Sequence, residues 1–504
     1  MTLPYRTLFL CTLVQESAFT TGGRIDTPSL TDLGLARDGQ GKPVIRGSTL
    51  AGALIATART FTEVPEAISR PGRLTKEADA QPLSLWRFDH AFLPNGDDQT
   101  ELRAHVALRQ DTRTAHEGGY FDLEALGPGR RWRFLLEVAG SEDCPEAATI
   151  AALALREWQW GRCWLGRRIA RGLGWMRLTG CTVVELPRTK AAIDAWPNAT
   201  LDSLASRHVY VETLGQDLGT SWADLASYLA AKGESLPPRP RRAYVRWPLQ
   251  IRLGEYRPTP DGPSYGLDAL SPQGHGSQLF SAEPLKEHLL RRPEQAWKAF
   301  QDAFSPDATL PLTWRDGHWE PVIPGSAIAG AWRHALSHSE RRQGQAVRDP
   351  ATGDTYGQSL QGDDPVAALF GSLDSHPSRL LIRDAYPHDD TWQVTLLDKV
   401  ALDEFRQSAY PGAKYNRLAL LAGTWGFEMV QEIRLDDGAT LDGQRLTQLT
   451  EPVRRLLQEA ARRRIGLGGG EFRSYGHVAI EARAPAQWAL AGEPWRTFEE
   501  EDTR

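Results

Sequence analysis

Apolar and polar positions along the first part of the chain recur with periods that predict strands and helices. Alternation with a period of two and continuous apolar runs predict strands, whereas apolar positions at every third or fourth residue predict helices. The predicted strands span residues 5–14, 102–108, 131–138 and 175–186, and the predicted helices span residues 48–59 and 146–160. This order of strand, helix, two strands, helix and strand is the split βαβ pattern of a ferredoxin-like domain.

The same order recurs in the second half of the chain. Strands are predicted over residues 243–253, 380–384 and 392–397, and helices over residues 326–337 and 452–464. We therefore expect an α+β fold with two tandem ferredoxin-like (RRM-like) domains that carry insertions. The expected boundaries are 1–190 for the first domain, 191–242 for a linker region, 243–485 for the second domain with an insertion at 255–313, and 486–504 for a tail.

A duplicated segment supports the tandem arrangement. Residues 38–53 read DGQGKPVIRGSTLAGA and residues 316–331 read DGHWEPVIPGSAIAGA, so that ten of sixteen positions are identical without a gap. Self-similarity of this kind indicates the duplication of one domain. Ser48 begins the predicted helix, and its side chain is expected to cap the free N–H groups of the first turn.

A second pair of segments repeats near the end of each domain. Residues 165–174 read LGRRIARGLG and residues 467–476 read LGGGEFRSYG, and further arginines stand close to both. Glycines expose backbone N–H groups in a concave turn and arginines add positive charge, which together suit a phosphate backbone. A tight turn ahead of the last strand, surrounded by solvated arginines, is the alternative interpretation. We name these segments the first and second Gly-rich loops.

Composition and charge narrow the possible functions. Of the 504 residues, 41% are hydrophobic and 24% are charged, as in soluble globular proteins. The net charge of −6 argues against binding of a polyanion by the whole surface, but it allows a local basic groove. Of the 58 basic residues 8 are lysine, which leaves 50 arginines; arginine suits phosphates and bases, although a GC-rich genome is the alternative explanation.

Several other classes are not supported by the sequence. The N-terminal residues predict a strand rather than a signal peptide, and no apolar run approaches the roughly 18 residues of a membrane span. No C-x-x-C pair, phosphate loop, zinc helix or nucleophile elbow occurs. Cys11, Cys144, Cys163 and Cys181 are therefore expected to be buried free thiols in a reducing cytoplasm.

The duplicated segment and the Gly-rich loops resemble the signatures of the repeat-associated mysterious protein (RAMP) superfamily of CRISPR RNA-binding proteins. Residues 105–115 with 118–124 resemble the family's segment after the third strand, and residues 365–371 followed by 383–385 resemble its LFG and RDA elements. The resemblance covers both repeats nearly end to end, without the linker, the insertion and the tail. It is strongest to the Cas7-type backbone subunits of type III effector complexes, here two fused in one chain.

This resemblance implies a catalytic residue. The backbone subunits stack along a guide RNA, and an aspartate in the loop after the first strand assists metal-dependent cleavage of the bound target RNA. Residues 22–28 (GGRIDTP) resemble that loop, so the resemblance places the catalytic and metal-binding aspartate at Asp26. A carboxylate there can hold a divalent cation, Mg²⁺ or Mn²⁺, or position the attacking 2′-hydroxyl. Asp32 is a weaker candidate, and a turn aspartate is the alternative for Asp26.

The second repeat departs from this pattern. The position equivalent to Asp26 is Phe304, because the insertion displaces the loop. Asp261 and Asp268 are the acids available soon after the strand, and Asp268 is the favoured candidate. The second repeat is therefore either catalytic through Asp268 or purely structural.

The resemblance also implies a thumb hairpin in each repeat, at residues 109–124 and 403–424. A thumb wedges into the duplex of guide and target, and apolar or aromatic side chains at such tips unstack bases. The candidate side chains are His116, Tyr120, Tyr410 and Tyr415, for which ordinary core packing is the alternative.

The Gly/Arg pattern and the resemblance together predict the RNA-binding residues and the partners. The RNA-binding candidates are Arg24, Arg46, Ser48, Arg167, Arg168, Arg171, Gly172, Gly174, Ser326, Arg464, Gly468, Gly469, Gly470 and Arg473. The expected partners are guide RNA, single-stranded target RNA and other effector subunits (further backbone subunits, a large signalling subunit and a small subunit), with no membrane. A non-catalytic RNA-binding scaffold is the second hypothesis, and a guide-processing endoribonuclease is the third.

Overall fold

The computed structural model describes most of both repeats. The described residues are 3–22, 32–69, 83–108, 115–196, 203–233, 239–254, 257–259, 262–264, 310–344, 347–348, 355–356, 364–372, 377–389, 392–402, 405–406, 408–436, 441–469 and 475–498. None of the helices within these ranges is long and apolar enough to cross a membrane.

The first repeat and the connecting region contain eight strands and six helices within the described ranges. The strands are β1 (Arg6–Gln15), β2 (Trp86–Phe88), β3 (Thr100–Leu108), β4 (Ala115–Leu126), β5 (Arg131–Ala139), β6 (Cys163–Trp164), β7 (Trp175–Leu186) and β8 (Thr220–Trp222). The helices are α1 (Gly47–Ala58), α2 (Glu66–Ser69), α3 (Ala147–Gln159), α4 (Lys190–Ala195), α5 (Leu204–Leu218) and α6 (Leu225–Lys232), with one 3₁₀ turn at Ile169–Arg171.

The second repeat continues the numbering. Its strands are β9 (Arg242–Leu253), β10 (Arg257–Thr259), β11 (Gly262–Ser264), β12 (Leu312–Arg315), β13 (His318–Pro321), β14 (Val347–Arg348), β15 (Thr355–Tyr356), β16 (Leu380–Ile382), β17 (Tyr386–Pro387), β18 (Gln393–Leu402), β19 (Ala409–Arg434), β20 (Ala479–Ala482), β21 (Gln487–Leu490) and β22 (Arg496–Thr497). Its helices are α7 (Gly325–Arg342), α8 (Pro365–Phe370) and α9 (Gly443–Ala461).

Each repeat is built on an antiparallel sheet with the same strand order. In the first repeat the order is β2-β5-β1-β7-β6, with α1 between β1 and β2 and α3 between β5 and β7 along the chain. In the second repeat β16, β19 and β9 follow in the equivalent order, and β20 and β21 both pair with the far edge of β9. The mixed α+β class is confirmed, and the strand order is that of the split βαβ pattern.

Two sheet strands were predicted at the wrong positions. Residues 102–108 were expected in the first sheet, but β3 forms a separate hairpin with β4, and the sheet strand is the three-residue β2. The buried positions of β3 are Glu101, Arg103 and His105, while Leu102 and Ala104 between them are half-buried and Val106 and Leu108 are exposed. The apolar alternation therefore marked the less buried face of β3, and β2 is too short to show a period.

The equivalent error occurs in the second repeat. Residues 392–397 were expected in the sheet, but β18 pairs with the first half of β19 in a long hairpin. The second half of β19, Gly423 to Arg434, pairs with β9 and is the sheet strand. The described residues of the predicted thumb regions at 109–124 and 403–424 therefore lie mostly in the strands of two hairpins, which we name the first hairpin (β3–β4) and the second hairpin (β18–β19).

The faces of the two sheets are covered differently. In β1, Phe9 and Leu13 pack with the core that contains α1 and α3, whereas Leu8 and Leu10 pack on the opposite face against α4 and α5. In the second repeat, alternate residues of β9 pack with α7 and α9. Tyr244, on the other face of β9, joins the core of the first repeat, so the two repeats share buried apolar surface.

The duplicated segment starts a helix in the same way in both repeats. The first helical N–H group of α1, on Gly47, donates to Nδ1 of His90 at 3.0 Å, and that of α7, on Gly325, donates to Oδ1 of Asp384 at 2.7 Å. The expected cap from Ser48 was wrong, because each helix begins one residue earlier and makes no side-chain cap at its N-cap residue. A residue on the neighbouring strand connection takes over that role in each repeat.

Steric contact explains the glycine at the start of each helix. A Cβ atom on Gly47 would overlap the carbonyl oxygen of Phe88, and one on Gly325 would overlap that of Ile382. We expect Gly47→Ala to lower the free energy of unfolding by about 1–3 kcal/mol, the usual cost of overpacking. Gly52→Ala in the same helix is the matched control, because no atom lies within 4 Å of its added methyl, and it should stabilise by about 0.5–1 kcal/mol. Urea unfolding measures both, and equal effects would contradict the steric account.

The C-terminal segment ties the second repeat to the first. The Gly492 N–H donates to Glu157, the Trp495 indole donates to the carbonyl of Trp160 at 2.7 Å, and Arg162 donates to the carbonyl of Glu493 at 2.6 Å. We name residues 487–497 the C-terminal strap. All four cysteines are buried and free, as predicted from their spacing.

Candidate nucleic-acid interface

The structure leaves several predicted site residues undescribed. The residues outside the described ranges are Arg24, Asp26, Asp268, Gly470 and Arg473, and the side chain of Tyr415 is also outside them. The remaining candidates are placed and can be compared between the repeats.

The two Gly-rich loops are closed by the same backbone bond. The N–H of Leu165 donates to the carbonyl of Gly174 at 2.8 Å, and the N–H of Leu467 donates to that of Gly476 at 2.9 Å. Gly174 and Gly476 both have φ of 76°, and a Cβ atom on either would overlap the leucine carbonyl of its loop. Only glycine combines that backbone angle with that close approach. The sequence alignment of the two loops therefore corresponds to a shared closure at the leucine and the last glycine.

The arginines of the first Gly-rich loop have no carboxylate neighbour among the described residues. Arg168 lies over the ring of Phe121, 4.0 Å from its centre, and Arg171 donates to the carbonyl of Phe370 at 3.1 Å. Burial, and secondarily Arg171, lower the pKa of Arg168 to about 10, and burial lowers that of Arg171. Two half-buried cations side by side are unfavourable unless an anion joins them. This arrangement suits a phosphate group.

The first Gly-rich loop lies against the second repeat. A Cβ atom on Gly172 would overlap Oδ1 of Asp384, and the backbone of Gly172 forms a bridge with that of Arg383. Gly325 approaches Gly172 from the start of α7, one residue before Ser326. The fold thus brings Arg171, Gly172 and Ser326 together, although they are more than 150 positions apart in the sequence.

A buried ion network joins the first hairpin to the second repeat at the same place. Arg103 binds Glu101 at 2.7 Å and Asp384 at 3.3 Å. Glu101 accepts from the hydroxyl of Thr313 at 2.7 Å, and Tyr386 donates toward Asp384 and accepts from a backbone N–H of the first repeat. Although burial alone would lower it, the pKa of Arg103 is raised by Glu101 and Asp384. Sequence reasoning missed this network, whose signal was the Glu-x-Arg-x-His alternation of β3.

His105 is a further buried residue of the first hairpin. Its ring stacks on Phe121 at 5.2 Å, beside Arg168. Burial, followed by the charges of Arg168 and Arg103, lowers the pKa of His105 to about 3. His105 is therefore neutral in the folded protein, and its stacking helps to hold Phe121 under Arg168.

This depressed pKa predicts acid sensitivity. Below about pH 6.5 the unfolded chain binds a proton at His105 that the folded chain rejects, so this contribution to stability is lost as the pH falls from 6.5 toward 3. The expected slope is about 1.4 kcal/mol per pH unit. His105→Phe should remove that slope from the free energy of unfolding, measured by urea titration between pH 4.5 and 6.5. An unchanged slope would mean that His105 carries a proton in the folded state.

Exposed apolar side chains lie toward the tips of both hairpins. Tyr120 and Tyr410, two of the predicted thumb residues, are exposed on β4 and β19, whereas His116 is half-buried. Sequence reasoning missed Phe405, which is 96% exposed between β18 and β19. The other exposed apolar side chains of the hairpins are Val106, Leu108, Val400 and Leu402. Apolar groups in such positions can insert between bases.

The described residues on either side of 23–31, the range that contains Asp26, contact the rest of the first repeat. Gly22 lies against the guanidinium of Arg167, close enough that a Cβ atom would press on it. At the other end, Oδ2 of Asp32 accepts from the N–H of Asp122 at 2.9 Å, and Leu33 pairs with β4. Gly22 therefore lies at the first Gly-rich loop, and Asp32 and Leu33 lie at the first hairpin. Carboxylates and phosphate oxygens are the donors that Mg²⁺ and Mn²⁺ prefer, so an acid here suits either ion.

The predicted residues of the second Gly-rich loop are partly neutralised. Arg464 binds Glu459 at 3.1 Å, and Arg462 lies 3.9 Å from the same carboxylate. Gly468 is exposed and Gly469 is half-buried. Within the described ranges, no three His, Cys, Asp or Glu side chains are close enough to hold a metal ion.

In the first repeat, Arg46 and Ser48 are exposed at the start of α1. The first Gly-rich loop packs at the start of α7 instead. Ser48 at the start of α1 is therefore exposed to solvent, whereas Ser326 at the start of α7 lies next to the first Gly-rich loop.

The sheets offer little open surface for bases. Helices cover both faces of the first sheet, as described above. On the second face of β9, charged side chains pair with one another, as in Arg242 with Glu432 and Arg252 with Glu481. The loops and hairpins are therefore better placed than the sheets to contact a nucleic acid.

Comparison with known proteins identifies the family. The model of the RAMP superfamily matches residues 19–177 and 267–479, which together span well over half of the chain. One chain of a solved structure described as "Type III-B Cmr-beta Cryo-EM structure of the Apo state" is 13% identical to this sequence, with a TM-score of 0.28 over 35% of this chain and 96% of that chain. No curated protein matches the sequence. Because the family model matches two separate regions that together exceed half of the chain, the chain belongs to the RAMP superfamily.

Proposed function

We propose that the chain is a fused pair of Cas7-type backbone subunits of a type III CRISPR ribonucleoprotein, which binds guide RNA and cleaves complementary RNA at Asp26. The observation that carries the RNA-binding part is the pair of half-buried cations, Arg168 and Arg171, without a carboxylate neighbour in the described part of the chain. They stand in a Gly-rich loop whose closing backbone bond recurs in the second repeat. The catalytic part rests on the resemblance of residues 22–28 to the family's loop.

In this proposal the loops hold the RNA backbone and the hairpins separate bases. Arg168 and Arg171 neutralise phosphates, and Arg167 adds an exposed guanidinium beside Gly22. Tyr120 on the first hairpin and Phe405 on the second present exposed rings that can stack on or wedge between bases. The RNA then lies along the junction of the repeats rather than across the sheets.

Asp26 acts on the target strand. A divalent metal ion, when bound, stabilises the negative charge that develops on the scissile phosphate. Asp26 holds that ion or orients the attacking 2′-hydroxyl, and it lies in the sequence between Gly22, which contacts Arg167, and Asp32, which accepts from the N–H of Asp122 on the first hairpin. Asp268 is the candidate for the same role in the second repeat. The proposed partners are guide RNA, target RNA and further effector subunits in the cytoplasm.

Cleavage mapping tests the catalytic proposal. The effector complex is assembled with the wild-type chain, with Asp26→Ala, or with Asp143→Ala as a control at an exposed acid of the first repeat. End-labelled target RNA and Mg²⁺ are then added. We expect Asp26→Ala to lose one cut while guide binding persists, and Asp143→Ala to retain every cut. An unchanged pattern with Asp26→Ala favours the non-catalytic scaffold.

The guide-processing hypothesis has its own test. Specific cleavage of precursor repeat RNA by the isolated chain would favour it. Such nucleases use histidines as general acid and base, which work best with a pKa near neutrality. Burial lowers the pKa of His105 to about 3 and that of His208 to about 4, which makes these two poorly suited. We therefore expect no processing by the isolated chain.

A further inference from the structure

We infer that Asp384 of the second repeat is a positioning residue for the first Gly-rich loop, and that Arg103 of the first hairpin holds Asp384 in place. The inference rests on the proposed RNA binding and adds to it that the two repeats bind RNA as one coupled unit. Asp384 itself touches no RNA in this account. It acts through Gly172 and through the start of α7.

The contacts of Asp384 connect three elements. Oδ1 accepts from the N–H of Gly325 at 2.7 Å, and Oδ2 lies 3.3 Å from Nη2 of Arg103. The backbone N–H of Asp384 reaches the carbonyl of Gly172 at 3.4 Å. Asp384 thus contacts the helix start in the second repeat, and the hairpin and Gly-rich loop in the first.

The loop is shaped to this carboxylate. Gly172 has φ of 109°, a backbone angle that glycine adopts and other residues rarely do, and a Cβ atom there would overlap Oδ1 of Asp384. Gly172 directly follows Arg171, whose guanidinium donates to Phe370 of the second repeat. A shift of the carboxylate therefore shifts the backbone that carries Arg171.

The equivalent residue of the first repeat separates this role from helix capping. His90 accepts from the N–H of Gly47 as Asp384 accepts from that of Gly325, and it does so without a carboxylate. A carboxylate at 1% exposure is costly to bury, and burial raises the pKa of Asp384 even though Arg103 opposes that change. Accepting from the first helical N–H does not require a buried carboxylate, since His90 does so with an imidazole. The carboxylate additionally binds Arg103 and seats Gly172.

Arg103 completes the coupling. Its guanidinium is 4% exposed and lies between Glu101 of its own hairpin and Asp384 of the other repeat. Removing the guanidinium leaves two buried carboxylates without their cation, and removing the charge of Asp384 leaves Arg103 paired with Glu101 alone. The first hairpin, the first Gly-rich loop and α7 are therefore expected to hold one mutual arrangement, which fixes the spacing of the RNA contacts.

Binding of a labelled single-stranded RNA by the full chain, followed by fluorescence anisotropy, tests the inference. Asp384→Asn keeps an acceptor for Gly325 but removes the charge that binds Arg103. We expect the affinity of this variant for RNA to fall about tenfold, which corresponds to the loss of one charged hydrogen bond between Arg171 and a phosphate. Arg171→Gln is expected to weaken binding similarly, and the double variant no further, because Asp384 acts through the loop that carries Arg171.

Controls separate positioning from loss of stability. Glu157→Gln alters an equally buried acid that is paired with Arg162, so it should lower the melting temperature and leave RNA affinity within twofold. If Asp384→Asn does not fold, Arg103→Gln gives the same comparison with the carboxylate retained.

Three results would overturn the inference. If Asp384→Asn bound RNA with wild-type affinity, the inference would be wrong although the proposed RNA binding would stand. If the losses of RNA affinity in the two single variants multiplied in the double variant, Asp384 would act independently of the loop. A wild-type chain that binds no RNA at any salt concentration would remove the proposed function, and this inference with it.

Discussion

Replacing Arg168 and Arg171 together by glutamine is expected to weaken the binding of single-stranded RNA about 100-fold. Each arginine is half-buried, and the described residues supply no carboxylate to neutralise either one, so in the proposed function a phosphate supplies their counter-charge. A charge-assisted hydrogen bond contributes about 1.5–3 kcal/mol, which is about tenfold or more in affinity for each arginine. This is the largest effect on binding that we expect from two substitutions.

The salt dependence provides a second readout of the same variant. The slope of log affinity against log salt should become shallower by about 1.4, because each phosphate contact on single-stranded RNA contributes about 0.7. Arg188→Gln with Arg496→Gln removes the same charge from two exposed arginines and is the matched control. An equal loss of affinity in the control would mean that only net charge matters. An unchanged slope in the Arg168 and Arg171 variant would mean that neither contacts phosphate.

Arg162→Ala is expected to lower the free energy of unfolding by about 3–5 kcal/mol, the largest stability effect that we predict. Arg162 binds Glu157 through two bonds of 2.6 and 2.7 Å, with both side chains 1% exposed. It also lies over the rings of Trp160 and Trp495, at 4.8 and 5.0 Å from their centres. Its removal leaves a buried carboxylate without its cation and loosens the C-terminal strap.

The surface pair of Arg496 and Glu493 is the control for that measurement. Its arginine is 56% exposed, and such pairs contribute about 0–1 kcal/mol. Arg496→Ala should therefore change the urea midpoint little. If Arg162→Ala behaved like Arg496→Ala, the strap would not hold the two repeats together. A drop confined to one of two separate unfolding transitions would indicate that the repeats unfold independently.

Features that depend on local backbone chemistry could be predicted from the sequence. Gly47 and Gly325 are needed because a neighbouring strand connection passes close to each helix start, and Gly174 and Gly476 are needed because each closes a loop at positive φ. Such requirements leave the same residue at the same place in both repeats. The duplicated segment and the two Gly-rich loops were identified for that reason.

Features that depend on contacts between distant segments could not be predicted in the same way. Hydrophobic alternation on β3 suggested a sheet strand, but its buried face carries Glu101, Arg103 and His105, whose partners lie elsewhere. The sequence does not reveal that Asp384, 281 positions further on, supplies the opposite charge. The covering of the first sheet by α4 and α5 was missed likewise, because the connecting region was interpreted as a linker.

The most direct test of RNA binding at the junction of the repeats is ultraviolet crosslinking of guide RNA to the assembled complex, followed by mass spectrometry. We expect crosslinked peptides from residues 165–174 and from the two hairpins, with Tyr120, Phe405 and Tyr410 among the modified side chains, since their rings are exposed. Crosslinks should be lost from residues 165–174 in the variant with glutamine at positions 168 and 171. Crosslinks confined to the exposed faces of α4 and α5, with none in the Gly-rich loops or the hairpins, would contradict the account.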